Sequence, residues 1–225
     1  VFRPLPRTVF ALADAATAFR HMAQARHVGK IVVTQPSGER PLVRSDATYL
    51  VSGGLGGLGL SVARWLVASG ARSLMLMGRG RPSDRAVSAI QGLEAEGARV
   101  LVAAGDVACE ADVARVLSTI EATMAPLRGI VHAAGTRDDG VLAEQTPDRV
   151  AAVLAPKLAG AWQLHQGTRG RALDFFVMFS SMAALFGAPG QSGYAAANAA
   201  MDAFAHRRRA DGLPATSINW GPWAE

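Results

Sequence analysis

From Ala47 onward the chain alternates two textures. Apolar runs of four to seven residues, bounded by glycine and polar turn formers, predict strands at residues 48–52, 73–77, 100–103, 129–133, 174–179 and 215–219. Longer segments of helical character lie between them, at 58–69, 83–96, 110–124, 147–166 and 193–211. Strands that alternate with helices make βαβ units. The expected class is therefore α/β, a doubly wound parallel sheet of Rossmann type, covered on both faces and with right-handed crossovers. Residues 1–33 predict a smaller piece: a strand at 8–12, a helix at 14–24 with Asp14 as N-cap, and a strand at 30–33. That piece is too small to bury a core and reads as the tail of something larger. Residues 34–46, TQPSGERPLVRSD, are polar and rich in turn formers, and read as a linker.

Composition supports this picture. Half of the 225 residues are hydrophobic, enough for one good core, and no apolar run approaches the ~20 residues of a membrane span. Cys109 is the single cysteine, so an internal disulfide is excluded and a reducing, cytoplasmic setting is expected. The net charge of +5 invites a nucleic-acid reading, but +4 of it falls in residues 1–46 (seven basic, three acidic) and only +1 in residues 47–225. Arg207, Arg208 and Arg209 fall near the end of a predicted helix, where cations suit the dipole. They are expected to form a solvated helix end, with a docking patch for an acidic partner as the alternative.

Residues 48–60 read TYLVSGGLGGLGL. A buried strand runs through Ser52 into Gly53, Gly54, Gly56 and Gly57, and a helix starts at Leu58 and Gly59. Glycines here let the chain turn sharply and bring backbone N–H groups to a pyrophosphate at the helix N-terminus; the alternative is a tight, closely packed turn. The next strand ends at Gly78-Arg79, 22 residues after Gly57. A guanidinium there pairs with the 2′-phosphate of NADP, where an acid would select NAD. Asp106 and Val107 end the third strand, placed to meet adenine. His132, Ala133, Ala134 and Gly135 end the fourth, where small residues leave room for the nicotinamide ribose. No metal is expected.

The segment GQSGYAAANAAMDAFAHRRR holds Tyr194, one of two tyrosines, and Asn198 four residues later on the same helical face. Ser181 precedes Tyr194 by 13 residues. With the glycine loop, this spacing resembles the short-chain dehydrogenase/reductase superfamily, except that Asn198 stands where that superfamily has lysine. In ketoreductase domains of modular polyketide synthases the lysine and asparagine exchange places. Lys157, one of only two lysines, lies 37 residues ahead of Tyr194, as that family requires. SGGLGGLG, HAAG, APKLAGAW, FSSMAALFGAPGQ, GYAAAN and INWGPW all resemble it, across residues 47–225. Residues 1–33 resemble the C-terminal tail of an enoylreductase domain.

The resemblance implies reduction of a β-ketoacyl thioester, held on the phosphopantetheine of an acyl carrier protein, within a fully reducing synthase module. NADPH would supply hydride and Tyr194 the proton. Ser181 would bond the developing alkoxide, Lys157 would place a cation near the phenol, and Asn198 would orient Lys157 or a relay water. Asp138-Asp139, Phe186 rather than tryptophan, and Pro189 imply the 3R, or D, alcohol, and Gln191 is expected to lie at the substrate side. The family's last strand and substrate lid are expected beyond residue 225. Alternatives are a free-standing reductase of a soluble carbonyl compound and a non-catalytic docking domain.

Overall fold

The structure, a computed structural model, describes residues 6–25, 27–34 and 42–223. These residues fall into two compact units divided between residues 41 and 42. In the first, strand β1 (Arg7–Ala11) pairs in parallel with β2 (Lys30–Thr34), and helix α1 (Ala15–Ala23) connects them. Ala18 is the one buried residue on α1, and Phe19, Met22 and Val9 are exposed, as an element too small for its own core requires. Asp14 occupies the N-cap position of α1, as the sequence predicts, but without the capping bond. It ends a 3-10 turn, Leu12–Asp14, and its side chain bonds no helical N–H. Of the linker expected at 34–46, Thr34 belongs to β2 and residues 35–41 lie outside the described residues.

The second unit contains six parallel strands: β3 (Thr48–Ser52), β4 (Ser73–Gly78), β5 (Arg99–Ala104), β6 (Leu127–His132), β7 (Phe175–Ser181) and β8 (Thr216–Trp220). Their order is β5-β4-β3-β6-β7-β8. Helices α2 (Gly57–Ala68), α3 (Asp84–Ala95) and α4 (Glu110–Thr123) join the first strands. Helices α5 (Pro147–Leu154), α6 (Gly160–Gly167), the short α7 (Ala183–Phe186) and α8 (Ser192–Ala210) follow. Alternation along β3 divides the core: Tyr49 and Val51 pack with Leu60, Leu66 and Leu93 on one face, and Leu50 packs with Leu117, Leu164 and Met201 on the other. The central β3 is buried at every residue, whereas edge strand β5 alternates exposed and covered positions.

Strand order reverses between β3 and β6, so the crevice beyond their carboxyl ends is the switch point where open α/β sheets bind ligands. The helix predicted over 147–166 is split: a π-helical segment, Ala155–Ala159, separates α5 from α6. Pro156 lies in this segment and has no N–H to give, which disrupts a regular α-helical ladder. The sequence pattern also missed a 3-10 turn at Leu142–Glu144 and the four-residue α7.

One of the three arginines closing α8 departs from the expected solvated end. Arg208 is 2% exposed, lies 4.1 Å over the Phe176 ring, and donates to the Pro214 carbonyl and to His165 Nδ1. Arg209 bonds the Ala215 carbonyl at 2.9 Å. Arg207, paired with Asp211, and Arg209 are exposed, as the solvated end expects. Arg208 and Arg209 also fasten the turn that leads into β8.

Candidate active site

The carboxyl ends of β3, β4, β5 and β6 open onto a cleft of about 440 Å³. Gly53 turns the chain at φ +69°, and a side chain there would meet the Ala133 backbone at 2.8 Å. A Cβ on Gly59 would lie 2.2 Å from the Gly53 carbonyl, so α2 begins directly against the loop. Gly56 caps α2 and Gly57 starts it; both are exposed, with nothing within 4 Å of a Cβ built on Gly57. This leaves open backbone at a helix N-terminus, suited to phosphate. Gly54 and Gly59 are buried packing positions, and Leu58 stands exposed on the first turn of α2.

Arg79 lines the far end of the cleft together with Arg81, and Gly105, Asp106 and Val107 line the side below β5. Asp106 also shapes its own turn: its Oδ1 accepts the Ala108 N–H at 2.9 Å. Ala133, Ala134 and Gly135 line the floor. A cradle of backbone and small residues, ending in two guanidinium groups, fits a dinucleotide. Leu55, Met77, Arg81 and Pro156 also line it and were missed in the sequence. The repeated arginine in GRGR was the available signal for Arg81.

Ser52 and His132 do not line this cleft, contrary to their assignment as cofactor residues. Both are fully buried beneath it. His132 Nε2 lies 2.8 Å from the Lys157 carbonyl, an acceptor, and Nδ1 lies 2.6 Å from Ser52 Oγ. Burial holds the imidazole pKa down at about 4, so the ring is neutral. A neutral ring that donates from Nε2 to a carbonyl must accept at Nδ1, so the Ser52 hydroxyl donates. The strand ends of β3 and β6 thereby grip the backbone of the π-helical segment.

That segment delivers Lys157 to the rim. Its side chain is buried, its Nζ donates to the Phe179 carbonyl at 3.0 Å, and Nζ lies 5.2 Å from the centre of the Tyr194 ring. Gly135 makes room: a Cβ there would come within 3.0 Å of Lys157 Cε. Burial lowers the ammonium pKa to about 8, partly countered by the carboxylate of Asp202. Tyr194, half-buried, projects from the first turn of α8. Asn198 makes no hydrogen bond to Lys157, the first of the two roles expected of it. Its Nδ2 donates to the Tyr194 backbone carbonyl at 2.7 Å, and its buried Oδ1 has no partner among the described residues. Ser181, at the end of β7, accepts the Ala183 N–H at 3.2 Å.

A second polar group braces this rim. The Asp202 carboxylate accepts from Ser217 Oγ at 2.5 Å and from Asn219 Nδ2 at 2.8 Å, and Asn219 also reaches Ser180 Oγ at 3.1 Å. Ser180 in turn donates to the Asn198 carbonyl at 3.3 Å. Sequence reading missed these residues, because nothing in the spacing of Ser180, Asp202 and Asn219 marks them. Asp138 and Asp139 lie in the loop after β6, and Gln191 Nε2 donates to Asp139 Oδ2 at 3.0 Å. Phe186, at the end of α7, is 78% exposed, and Pro189 is exposed in the turn before α8.

Residues 47–225 match the KR domain family, and residues 1–33 match the family of zinc-binding dehydrogenases. The chain therefore belongs to the KR domain family, the ketoreductases of polyketide synthases, which are nicotinamide-dependent oxidoreductases of the short-chain dehydrogenase/reductase fold. It is 44% identical, over 99% of its length, to phthioceranic/hydroxyphthioceranic acid synthase of Mycobacterium tuberculosis. It is also 44% identical, over 99% of its length, to a mycocerosic acid synthase-like polyketide synthase of Mycolicibacterium smegmatis. It spans 11% of each of these proteins. A solved A-type ketoreductase from a modular polyketide synthase superposes with a TM-score of 0.78 at 44% identity, covering 84% of this chain and 40% of that one. A ketoreductase domain from the bacillaene assembly line gives 0.78 at 28% identity, covering 96% and 58%.

Proposed function

We propose that this chain reduces a β-ketoacyl thioester, carried by an acyl carrier protein of the same cytoplasmic synthase, to the β-hydroxyacyl thioester with NADPH. One observation carries the reading: a buried lysine, supplied by a π-helical segment, stands 5.2 Å from the ring of Tyr194 on the rim of a dinucleotide-shaped cleft. The nicotinamide supplies a hydride when bound. Gly53, Gly56 and the open start of α2 would hold its pyrophosphate, Arg79 and Arg81 the 2′-phosphate, Asp106 and Val107 the adenine side, and Ala133 to Gly135 the nicotinamide ribose. Tyr194 donates a proton to the oxygen that becomes the alcohol, and Ser181 hydrogen-bonds the same oxygen. The Lys157 ammonium stabilises negative charge left on the phenol, and Asn198 sets the backbone of the Tyr194 turn.

The neighbouring residues 1–33, matching zinc-binding dehydrogenases, support an enoylreductase-like tail and hence a fully reducing module. Asp138 and Asp139, with Phe186 and Pro189, support the 3R alcohol. The role of Tyr194 is tested with NADPH and a β-keto thioester. Tyr194→Phe should lose turnover by about 10²-fold or more while NADPH binding persists, since general acid catalysis is worth ~10²–10⁴. Turnover equal to wild type would refute the assignment.

A further inference from the structure

We propose that Arg149 is a positioning residue that locks the loop over residues 136–140 beside Tyr194 and thereby selects which carbonyl face is reduced. Asp138 and Asp139 serve as its anchors rather than as ligands of the substrate. The inference rests on the reduction proposed above and concerns the shape of its mouth.

Thr146 caps α5 and accepts the Arg149 N–H, which sets the guanidinium facing the loop. Its fork is bidentate on Asp138: Nε to Oδ2 at 2.9 Å and Nη2 to Oδ1 at 2.5 Å. Nη2 also reaches the Asp139 carbonyl at 3.0 Å, and Nη1 the Glu144 carbonyl at 3.2 Å. One planar cation thus binds the loop at two residues and the 3-10 turn that follows it at Glu144, a geometry that a lysine ammonium does not reproduce. Both oxygens of Asp138 are engaged, and the guanidinium holds its carboxyl below the usual carboxylate range.

The other side of the loop is tied to the start of α8. The Gly140 N–H donates to the Gly190 carbonyl at 2.8 Å, and Gln191 Nε2 to Asp139 Oδ2 at 3.0 Å. Gly190 and Gln191 lead directly into the turn that carries Tyr194. Within the same loop, the Arg137 guanidinium lies 6.0 Å from the centre of the Tyr194 ring. The loop is therefore a wall next to the proton donor, and moving it changes how a ketone approaches. Arg149 and Asp138 keep 29% and 36% of their side chains accessible, so the pair adds little to global stability; its effect is geometric.

The test is chiral analysis of the alcohol formed from a β-keto thioester, with NADPH binding and thermal melting as controls. Arg149→Met should raise the minor epimer roughly tenfold or more, the scale on which single pocket contacts discriminate. Arg149→Lys should fall between that variant and wild type, and the exchanged pair Asp138→Arg/Arg149→Asp should recover part of the selectivity. If Arg149→Met does not fold, Asp138→Asn, which keeps the side-chain shape, carries the same reading. An epimer ratio unchanged in the folded variants overturns the inference alone. A wild-type protein that forms no alcohol overturns the reduction and the inference with it.

Discussion

On one side of the switch point, the ends of β3, β4 and β5 present backbone, glycine and two surface arginines. On the other, the ends of β6, β7 and β8, together with the π-helical segment and α8, present buried polar side chains: His132, Lys157, Ser180, Asn198 and, half-buried, Asn219. The first side needs space and N–H groups, which a run of neighbouring residues supplies. The second needs a charge held out of water, so segments far apart in sequence must converge to hydrogen-bond its neighbours. The cleft can thus be specified locally, while the rim that holds Lys157 beside Tyr194 depends on the finished fold. Variants on the two sides should fail differently, the first in cofactor affinity, the second in turnover and in the pH dependence of stability.

The largest expected effect beyond the loss in Tyr194→Phe is at Lys157. Its pKa is about 8 in the folded chain against 10.5 as the ordinary value. The unfolded chain therefore holds the extra proton between these limits, and stability rises with pH across them. Relative to Lys157→Met, the wild-type protein should gain about 3 kcal/mol from pH 8 to 10.5 in denaturant titrations, because 2.5 units separate the two values. Parallel curves for the two proteins would mean the ammonium is solvated.

A comparable effect belongs to His132, whose ring stays neutral to about pH 4 against an ordinary 6.5. Its contribution is complete above pH 6.5 and is lost as pH falls toward 4, again about 3 kcal/mol. Imidazole signals followed by NMR should show one ring resisting protonation to that point; a set of rings all titrating near 6.5 would break the tie between β6 and the lysine segment. On the cleft side the effect is smaller and of another kind. Arg79→Glu should cost the preference for NADPH over NADH roughly tenfold to a hundredfold, the worth of a charge-assisted hydrogen bond of about 1.5–3 kcal/mol. Equal loss for both nucleotides would place the arginine elsewhere than at the 2′-phosphate.

The difference between the sides also explains what could be read from the chain. Strand periodicity and the glycine loop are properties of adjacent residues, and the six strands of the large sheet lie within two residues of their expected bounds. Lys157 was legible through its distance from Tyr194 and its scarcity, a resemblance-based signal. The π-helical break was not read, although Pro156 within a predicted helix pointed to it. His132 and Ser52 were placed correctly at strand ends but given the wrong neighbour, because a one-dimensional pattern cannot say which side of a strand end is covered. Arg149 and Arg208 look like ordinary surface arginines in sequence, one of 21 each. Their partners lie in loops and turns whose path only the folded chain defines.

The central claim is that a buried, protonated Lys157 beside Tyr194 supports proton transfer. It is tested most directly by turnover against pH at saturating NADPH and keto thioester. The account predicts an alkaline loss of turnover centred near pH 8, where Lys157 gives up its proton, and no such limb in the residual activity of Lys157→Met. A wild-type rate that holds constant well beyond that pH, or a Lys157→Met variant with full activity, would contradict it.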